Sequence, residues 1–327
     1  YDFLKKSSLS GDEILMANIG ANVGEIWQMP KVDKPSSLAP NMIMAKFTGN
    51  AVNKFIYYFL KSEFGKRNIA ITISGNAHPK INKTEFKQVK VILPNNKQEQ
   101  QKIANCLSSL DNLITAETEK LDHLKDHKKG LLQQLFPANG ETKPQFRFPE
   151  FKNDGDWEEK MLGKVSKITT GRLDANAMVA NGKFRFYTCA KDFYYIDKYA
   201  FDTEALLISG NGANVGYIHY YKGKFNAYQR TYVLNDFDNN IIYIKYYLEY
   251  NLGNRISIEK KEGNTPYIVK STLSEMVVFC PKDPKEQQKI ANCLSSADDL
   301  IEAQKIKIKA LKKHKKGLMQ QLFPHTI

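Results

Sequence analysis

The sequence predicts a mixed α/β chain of the α+β class, with two globular domains separated by an antiparallel two-helix coiled coil and internal pseudo-twofold symmetry. Three observations predict it. Residues 99–137 recur as 286–324, an offset of 187, with 28 of 39 positions identical. Both copies carry apolar residues in alternating three- and four-residue steps, the period of a helix seam. Each copy also follows a region of similar plan but looser sequence, in which Gly20-Ala21-Asn22-Val23-Gly24 is echoed by Gly212-Ala213-Asn214-Val215-Gly216, and Gly75-Asn76 by Gly263-Asn264. A repeat of that length duplicates a whole domain with its helix.

The elements follow in order as a first domain over 1–96, a first constant helix over 97–137, a linker and second domain over 138–284, and a second constant helix over 285–327. A chain of 327 residues with 42% hydrophobic content has enough apolar material for two cores. The second looser region begins about 50 residues before its first alignable landmark, so the first region is expected to lack an N-terminal portion of about that length.

In the first constant helix the seam is Ile103, Leu107, Leu110, Ile114, Leu121, Leu124, Leu131 and Leu135, with Glu117 and Lys128 filling the two remaining positions. In the second it is Ile290, Leu294, Ala297, Ile301, Ile308, Leu311, Leu318 and Leu322, with Gln304 and Lys315 in the corresponding places. Pro137 and Pro324 are expected to end the helices. The first helix delivers the chain to the second domain and the second must run back to pair with it, so the pair is expected to be antiparallel, with Glu117 near Gln304.

The looser regions read as sheets with one packed helix each. Glu204-Ala205-Leu206-Leu207-Ile208-Ser209, 228–234 and Met276-Val277-Val278-Phe279-Cys280 are apolar or aromatic runs bounded by Gly, Asn and Pro, a strand signature. Helical spacing over 54–65 and 242–253 predicts helices ending at Gly65 and Gly253.

Composition narrows the partners. The chain holds 48 Lys plus Arg against 35 Asp plus Glu, a net charge of +13. That excess attracts polyanions, nucleic acid foremost, although solubility alone also accounts for it. Cys106, Cys189, Cys280 and Cys293 form no C-x-x-C pair, which suits reduced thiols; together with the lack of a long apolar run or leader this predicts a cytoplasmic protein.

Motifs for chemistry are missing. Gly210-Asn211-Gly212-Ala213-Asn214-Val215-Gly216 has the spacing G-x-G-x-x-x-G, not that of a dinucleotide loop, and Asn18 replaces its first glycine in the other copy. There is neither a phosphate-binding loop of the Walker type nor an Asn-Pro-Pro motif, and no histidine has a partner at metal spacing. No cofactor and no metal are expected.

The constant segments open on Glu-Gln-Gln-Lys-Ile-Ala (99–104 and 286–291) and close on Lys-Lys-Gly-Leu-(Leu/Met)-Gln-Gln-Leu-Phe-Pro. Two divergent domains, each followed by such a helix, closely resemble type I restriction-modification specificity subunits over essentially the whole chain. The resemblance implies two target recognition domains that each read one half of a bipartite, asymmetric site in double-stranded DNA. It also implies constant helices that space the halves and bind two methyltransferase (modification) subunits, with restriction subunits (the translocase and nuclease) joining for cleavage. The chain itself would catalyse nothing. The alternative is a stand-alone nuclease of related architecture whose active site the sequence does not display.

Phosphates call for Lys, Arg or backbone N–H groups, and bases for Arg, Lys, Asn or Gln. Residues of these types in expected loops make Arg185, Tyr187, Lys191, Asn214, Gln229, Arg230, Asn264 and Lys270 the DNA-contact candidates of the second domain. Those of the first are Asn22, Ser36, Ser37, Asn76, Lys80 and Lys83. For Gln229-Arg230 a surface ion pair is the competing reading. Identity between the constant helices extends to polar positions expected to be exposed, Gln100, Gln101, Asn105, Gln133 and Gln134 with their copies Gln287, Gln288, Asn292, Gln320 and Gln321. These are the candidates for binding partner subunits.

Overall fold

The computed structural model describes residues 8–34, 36–75, 78–138, 140–259 and 266–323. The chain divides into two compact units: the first is Tyr1–Leu121 with Ala303–Ile327, the second Asp122–Glu302.

In the first unit, β2 (Ile14–Ala17) is flanked by β3 (Ile26–Gln28) and β5 (Met42–Ala45), both antiparallel to it, and β1 (Ser8–Leu9) pairs separately with β4 (Ser36–Ser37). One face of the sheet carries Ile14, Met16, Ile26 and Ile43, which pack with Phe55, Ile56, Phe59 and Leu60 of α1 (Asn53–Lys61). The helix expected to end at Gly65 instead breaks at Ser62. Its hydroxyl accepts from the Gly65 N–H and caps α2 (Glu63–Thr72), and a side chain on Gly65 would collide with the Phe59 carbonyl. A short α3 (Lys83–Phe86), boxed by Asn82 and Glu85, precedes the long α4 (Lys97–Leu135).

The second unit is larger. Its first strand, β6 (Glu158–Met161), is followed by α5 (Leu162–Val165) and pairs with β13 (Val277–Cys280). The main sheet holds β7 (Lys167–Thr170), β8 (Phe184–Tyr187), β9 (Tyr194–Ile196), β10 (Phe201–Ser209), β11 (Ile218–Ala227) and β12 (Thr231–Asn235), in the order β7-β12-β10-β11-β8-β9. All neighbours are antiparallel except β11 and β8. Leu206, Ile208 and Leu234 meet α6 (Ile241–Glu259), and the opposite face closes a smaller core around Tyr187, Leu207, Phe225 and Val233. α6 continues past Gly253, where a stop was expected, because Leu252 is buried and Ile256 packs against the same core. α7 (Lys270–Ser274) and α8 (Pro284–Leu322) complete the chain.

α4 and α8 pair antiparallel in both units. In the first, Gln304 donates to the carbonyl (2.8 Å) and carboxylate (2.7 Å) of Glu117, its own counterpart in the repeat, and Lys315 meets Asp111 at 2.5 Å. In the second, Lys128 meets Asp298 at 2.7 Å. None of the predicted seam positions is exposed. The polar residues that interrupt the apolar seam are thus its internal ties.

Each unit is closed by one helix beginning and the other ending. Ala104 and Leu107 of α4 join the first core together with Phe323, whose ring lies 5.5 Å from Phe55 and 5.9 Å from Phe59. Ala291 and Leu294 of α8 join the second with Phe136, 5.4 Å from Tyr243 and 5.5 Å from Tyr247. The recurrent phenylalanine is a buried wedge, and α4 stops at Leu135 just before Phe136; Pro324 lies outside the described residues.

Candidate nucleic-acid interface

At one end of each sheet the backbone builds the same loop. In the first unit the Gly24 N–H donates to the Ala17 carbonyl (2.9 Å), Gly20 to Pro79 (3.2 Å) and Ile81 to Asn18 (2.9 Å). In the second, Gly216 donates to Ser209 (2.8 Å), Gly212 to Pro266 (2.9 Å) and Ile268 to Gly210 (2.9 Å). The two loops correspond bond for bond. Gly24 and Gly216 hold φ of +85° and +82°, and a side chain on either would press on a packed isoleucine, Ile69 or Ile256, so both conformation and packing require glycine there.

Further loops gather on this frame in the second unit. Asn214 donates to the Cys189 carbonyl (3.0 Å), and His219 Nε2 lies 2.9 Å from that of Ala190. Burial depresses the His219 pKa against the opposing pull of that carbonyl, so the ring is neutral at pH 7 with its proton on Nε2. Gln229 donates from its backbone to Leu173 (2.9 Å) and from its side chain to Asp174 (2.6 Å), while the Arg230 carbonyl receives the Gly210 N–H (2.8 Å). Lys191, Gln229 and Arg230 are exposed on these loops, and Lys270 is exposed as the first residue of α7. Arg172 and Tyr267 are also exposed here, and sequence reasoning missed both; their signal was adjacency to Gly171 and Pro266.

Two second-unit candidates sit elsewhere. Arg185 and Tyr187 lie on β8, not in a loop. Tyr187 is 2% exposed inside the smaller core, so its ring has no surface to offer a base. The Arg185 guanidinium is clamped between Phe193 (4.2 Å) and Tyr221 (4.5 Å) and bonded to the Tyr187 hydroxyl.

In the first unit Asn22 is exposed on the loop, Lys80 is exposed and bridged to Ile19, and Lys83 opens α3 as Lys270 opens α7. Ser36 and Ser37 instead form the edge ladder with β1. The structural counterpart of Arg230 is Asn41, whose carbonyl receives the Asn18 N–H at 3.2 Å as that of Arg230 receives Gly210. The strand that follows, Met42–Ala45 opposite Thr231–Asn235, was the signal that would have found it. Asn76 and Asn264 lie outside the described residues.

The helix candidates divide. Gln101, Asn105, Gln133, Gln134, Gln288, Asn292, Gln320 and Gln321 are exposed. Gln100 and Gln287 are buried, contrary to expectation. Gln100 accepts from the Val52 N–H (2.9 Å) and donates to the Asn50 (2.9 Å) and Pro94 (2.8 Å) carbonyls; Gln287 accepts from Asn240 (3.0 Å) and donates to Pro281 (2.9 Å). Their identity reflects backbone groups that need a partner inside each unit.

One polar triad recurs in both units. Tyr58 donates to Asp111, which pairs with Lys315, and Tyr246 donates to Asp298, which pairs with Lys128. In the second copy Glu249 adds bonds to Lys128 (3.0 Å) and Lys245 (2.9 Å). Burial alone would raise the Asp298 pKa and lower that of Lys128; the bonds between them and the surrounding charges outweigh it, so Asp298 titrates below and Lys128 above its usual range. Among the described residues no three His, Cys, Asp or Glu side chains gather as metal ligands, and no helix is long and apolar enough to cross a membrane.

A loop-bearing sheet built twice, each time with a constant helix, defines a tandem-repeat protein. The family model for the type I restriction modification DNA specificity domain matches residues 2–126 and 154–313, and the chain belongs to that family. It is 36% identical over 156 residues to the Type I restriction enzyme EcoDI specificity subunit of Escherichia coli, an alignment that spans 48% of this chain and 34% of that subunit. With the MjaVIII specificity subunit of Methanocaldococcus jannaschii it shares 25% identity over 99% of this chain and 81% of the relative. The fold matches a crystallised type I restriction-modification S subunit from M. genitalium with a TM-score of 0.70 at 19% identity, over 97% of this chain and 84% of the other.

Proposed function

We propose that the chain aims the chemistry of a type I restriction-modification assembly. Each unit reads one half of a bipartite, asymmetric duplex site, and the paired helices hold two methyltransferase subunits and the restriction subunits. The observation that carries this reading is the duplicated loop frame, which presents different side chains on one backbone: Arg230 in one unit and Asn41 in the other. Identical frames suit a common docking pose on DNA, and different side chains suit two different half-sites. Exposed Gln101 and Asn105, bonded to each other on one helix as Gln288 and Asn292 are on the other, suit a fixed protein partner. The test is selection of bound duplexes from a randomised library, with the chain purified together with its methyltransferase. Two short conserved blocks at a fixed gap are expected, and a single continuous block would refute the split reading. Cleavage by the purified chain alone would favour the stand-alone nuclease.

A further inference from the structure

The first unit contains a cavity of about 320 Å³ where the corner between α1 and α2 meets the last turns of α8. Phe64, Met319 and Phe323 give it apolar walls. Lys61, Lys66, Lys312, Lys315 and Lys316 also line it, with Glu63 the one carboxylate among the lining residues. Of these lysines Lys315 is committed to Asp111. Lys61 is half-buried, its ammonium 5.5 Å from the centre of the Tyr57 ring, and among the described residues no carboxylate is within ion-pair distance of Lys61, Lys66, Lys312 or Lys316.

The second unit carries a different charge at the same place. Tyr57-Tyr58-Phe59-Leu60-Lys61 aligns with Lys245-Tyr246-Tyr247-Leu248-Glu249, so Glu249 stands where Lys61 stands, and Asn254 where Lys66 stands. Glu249 neutralises Lys128, the counterpart of Lys315, as well as Lys245. One copy thus sets Glu249 against its central lysines and the other leaves four ammonium groups around a cavity with one carboxylate. Half-burying an unpaired lysine opposes folding, and an anion that supplies the missing charge offsets that cost.

The geometry points to a binding site for a phosphate-bearing anion in this cavity of the first unit. Several flexible point charges suit a polyvalent phosphate better than a single carboxylate, and the volume is at the small end of ligand cavities. The phosphates come either from a free polyphosphate or from the backbone of bound nucleic acid. None of the loop residues discussed above lines the cavity, so the site stands or falls separately from sequence reading.

The test titrates the purified chain with inorganic tripolyphosphate by calorimetry and, in a second arm, measures its affinity for a non-cognate duplex as a function of salt. Variants are Lys61→Glu, which copies the second unit, and the milder Lys66→Gln with Lys316→Gln, each first checked for unchanged thermal unfolding. Loss of tripolyphosphate binding by tenfold or more in the variants, with the duplex salt slope unchanged, establishes a free polyphosphate as ligand. A salt slope shallower by about one for each lysine removed establishes the nucleic-acid backbone. Tripolyphosphate binding and salt slope both indifferent to the substitutions would overturn the site. So would a variant that fails only to co-purify with the methyltransferase, which would make the cavity a protein contact.

Discussion

Gln100 offers the sharpest separation between a residue kept for folding and one kept for assembly. Gln100→Met preserves its shape while removing every hydrogen bond its side chain makes. The Val52 N–H, which opens α1 without any side-chain cap of its own, loses its acceptor, and two loop carbonyls lose their donor. A buried orphaned N–H costs about 2 kcal/mol and a carbonyl somewhat less, while methionine loses nothing by being buried, so the first unit is expected to weaken by about 3 kcal/mol. Hydrogen exchange over 51–62, read by mass spectrometry, should then lose roughly 150-fold in protection at about 1.4 kcal/mol per tenfold. Gln101→Ala, one residue along on the exposed face, should change stability by less than about 0.5 kcal/mol yet reduce co-purification with the methyltransferase. Unaltered protection in Gln100→Met, accompanied by failed assembly, would refute the structural role and return Gln100 to the partner surface.

Three further outcomes are expected. Gln229→Ala with Arg230→Ala should relax discrimination in one half-site by about 1 to 3 kcal/mol for each base no longer read, and Asn41→Ala should do so in the other; selected-site profiles that degrade equally in both halves would sink the assignment. Phe323→Ala should destabilise the first unit by about 3 kcal/mol and leave the second unaffected, as read by exchange of α1 against α6 amides. Asp298, with a lowered folded pKa, stabilises the second unit above the ordinary aspartate pKa and ceases to do so as pH falls through the folded value; Lys128, with a raised one, contributes below the ordinary lysine pKa and stops as pH rises through its own. Lys128→Met should therefore cost about 1 to 2 kcal/mol near neutrality and progressively less in acid, and a cost that does not change between pH 7 and pH 3 would contradict the pairing.

The duplication was legible because it is written twice. Period, seam and the meeting of Glu117 with Gln304 follow from spacing alone, and so does the shared Gly-Ala-Asn-Val-Gly turn. Burial of Gln100 and Gln287 was not legible, because the demand comes from backbone groups up to 50 residues away that no hydropathy pattern records. Tyr187 failed for a related reason: alternation along Phe184–Tyr187 reads equally as a wet or a dry face, and a second small core on the outer side of the sheet decides it. Asn41 was hidden by loops of different length between otherwise matching strands. Where partners lie within a few residues the sequence speaks, and where a distant strand chooses between two equal readings it does not.

The placement of Phe136 and Phe323 has a consequence for heredity. Each unit is finished by the tail of the helix that starts in the other, so neither repeat can complete itself from its own stretch of gene. A half-length product would need a second polypeptide to lend it that tail, and two such halves would lend to each other. Exchange of the looser regions by recombination, by contrast, leaves both loans intact as long as the crossovers fall outside the near-identical segments. The fold thereby lets the looser regions diverge while the means of closing each unit is handed down unaltered.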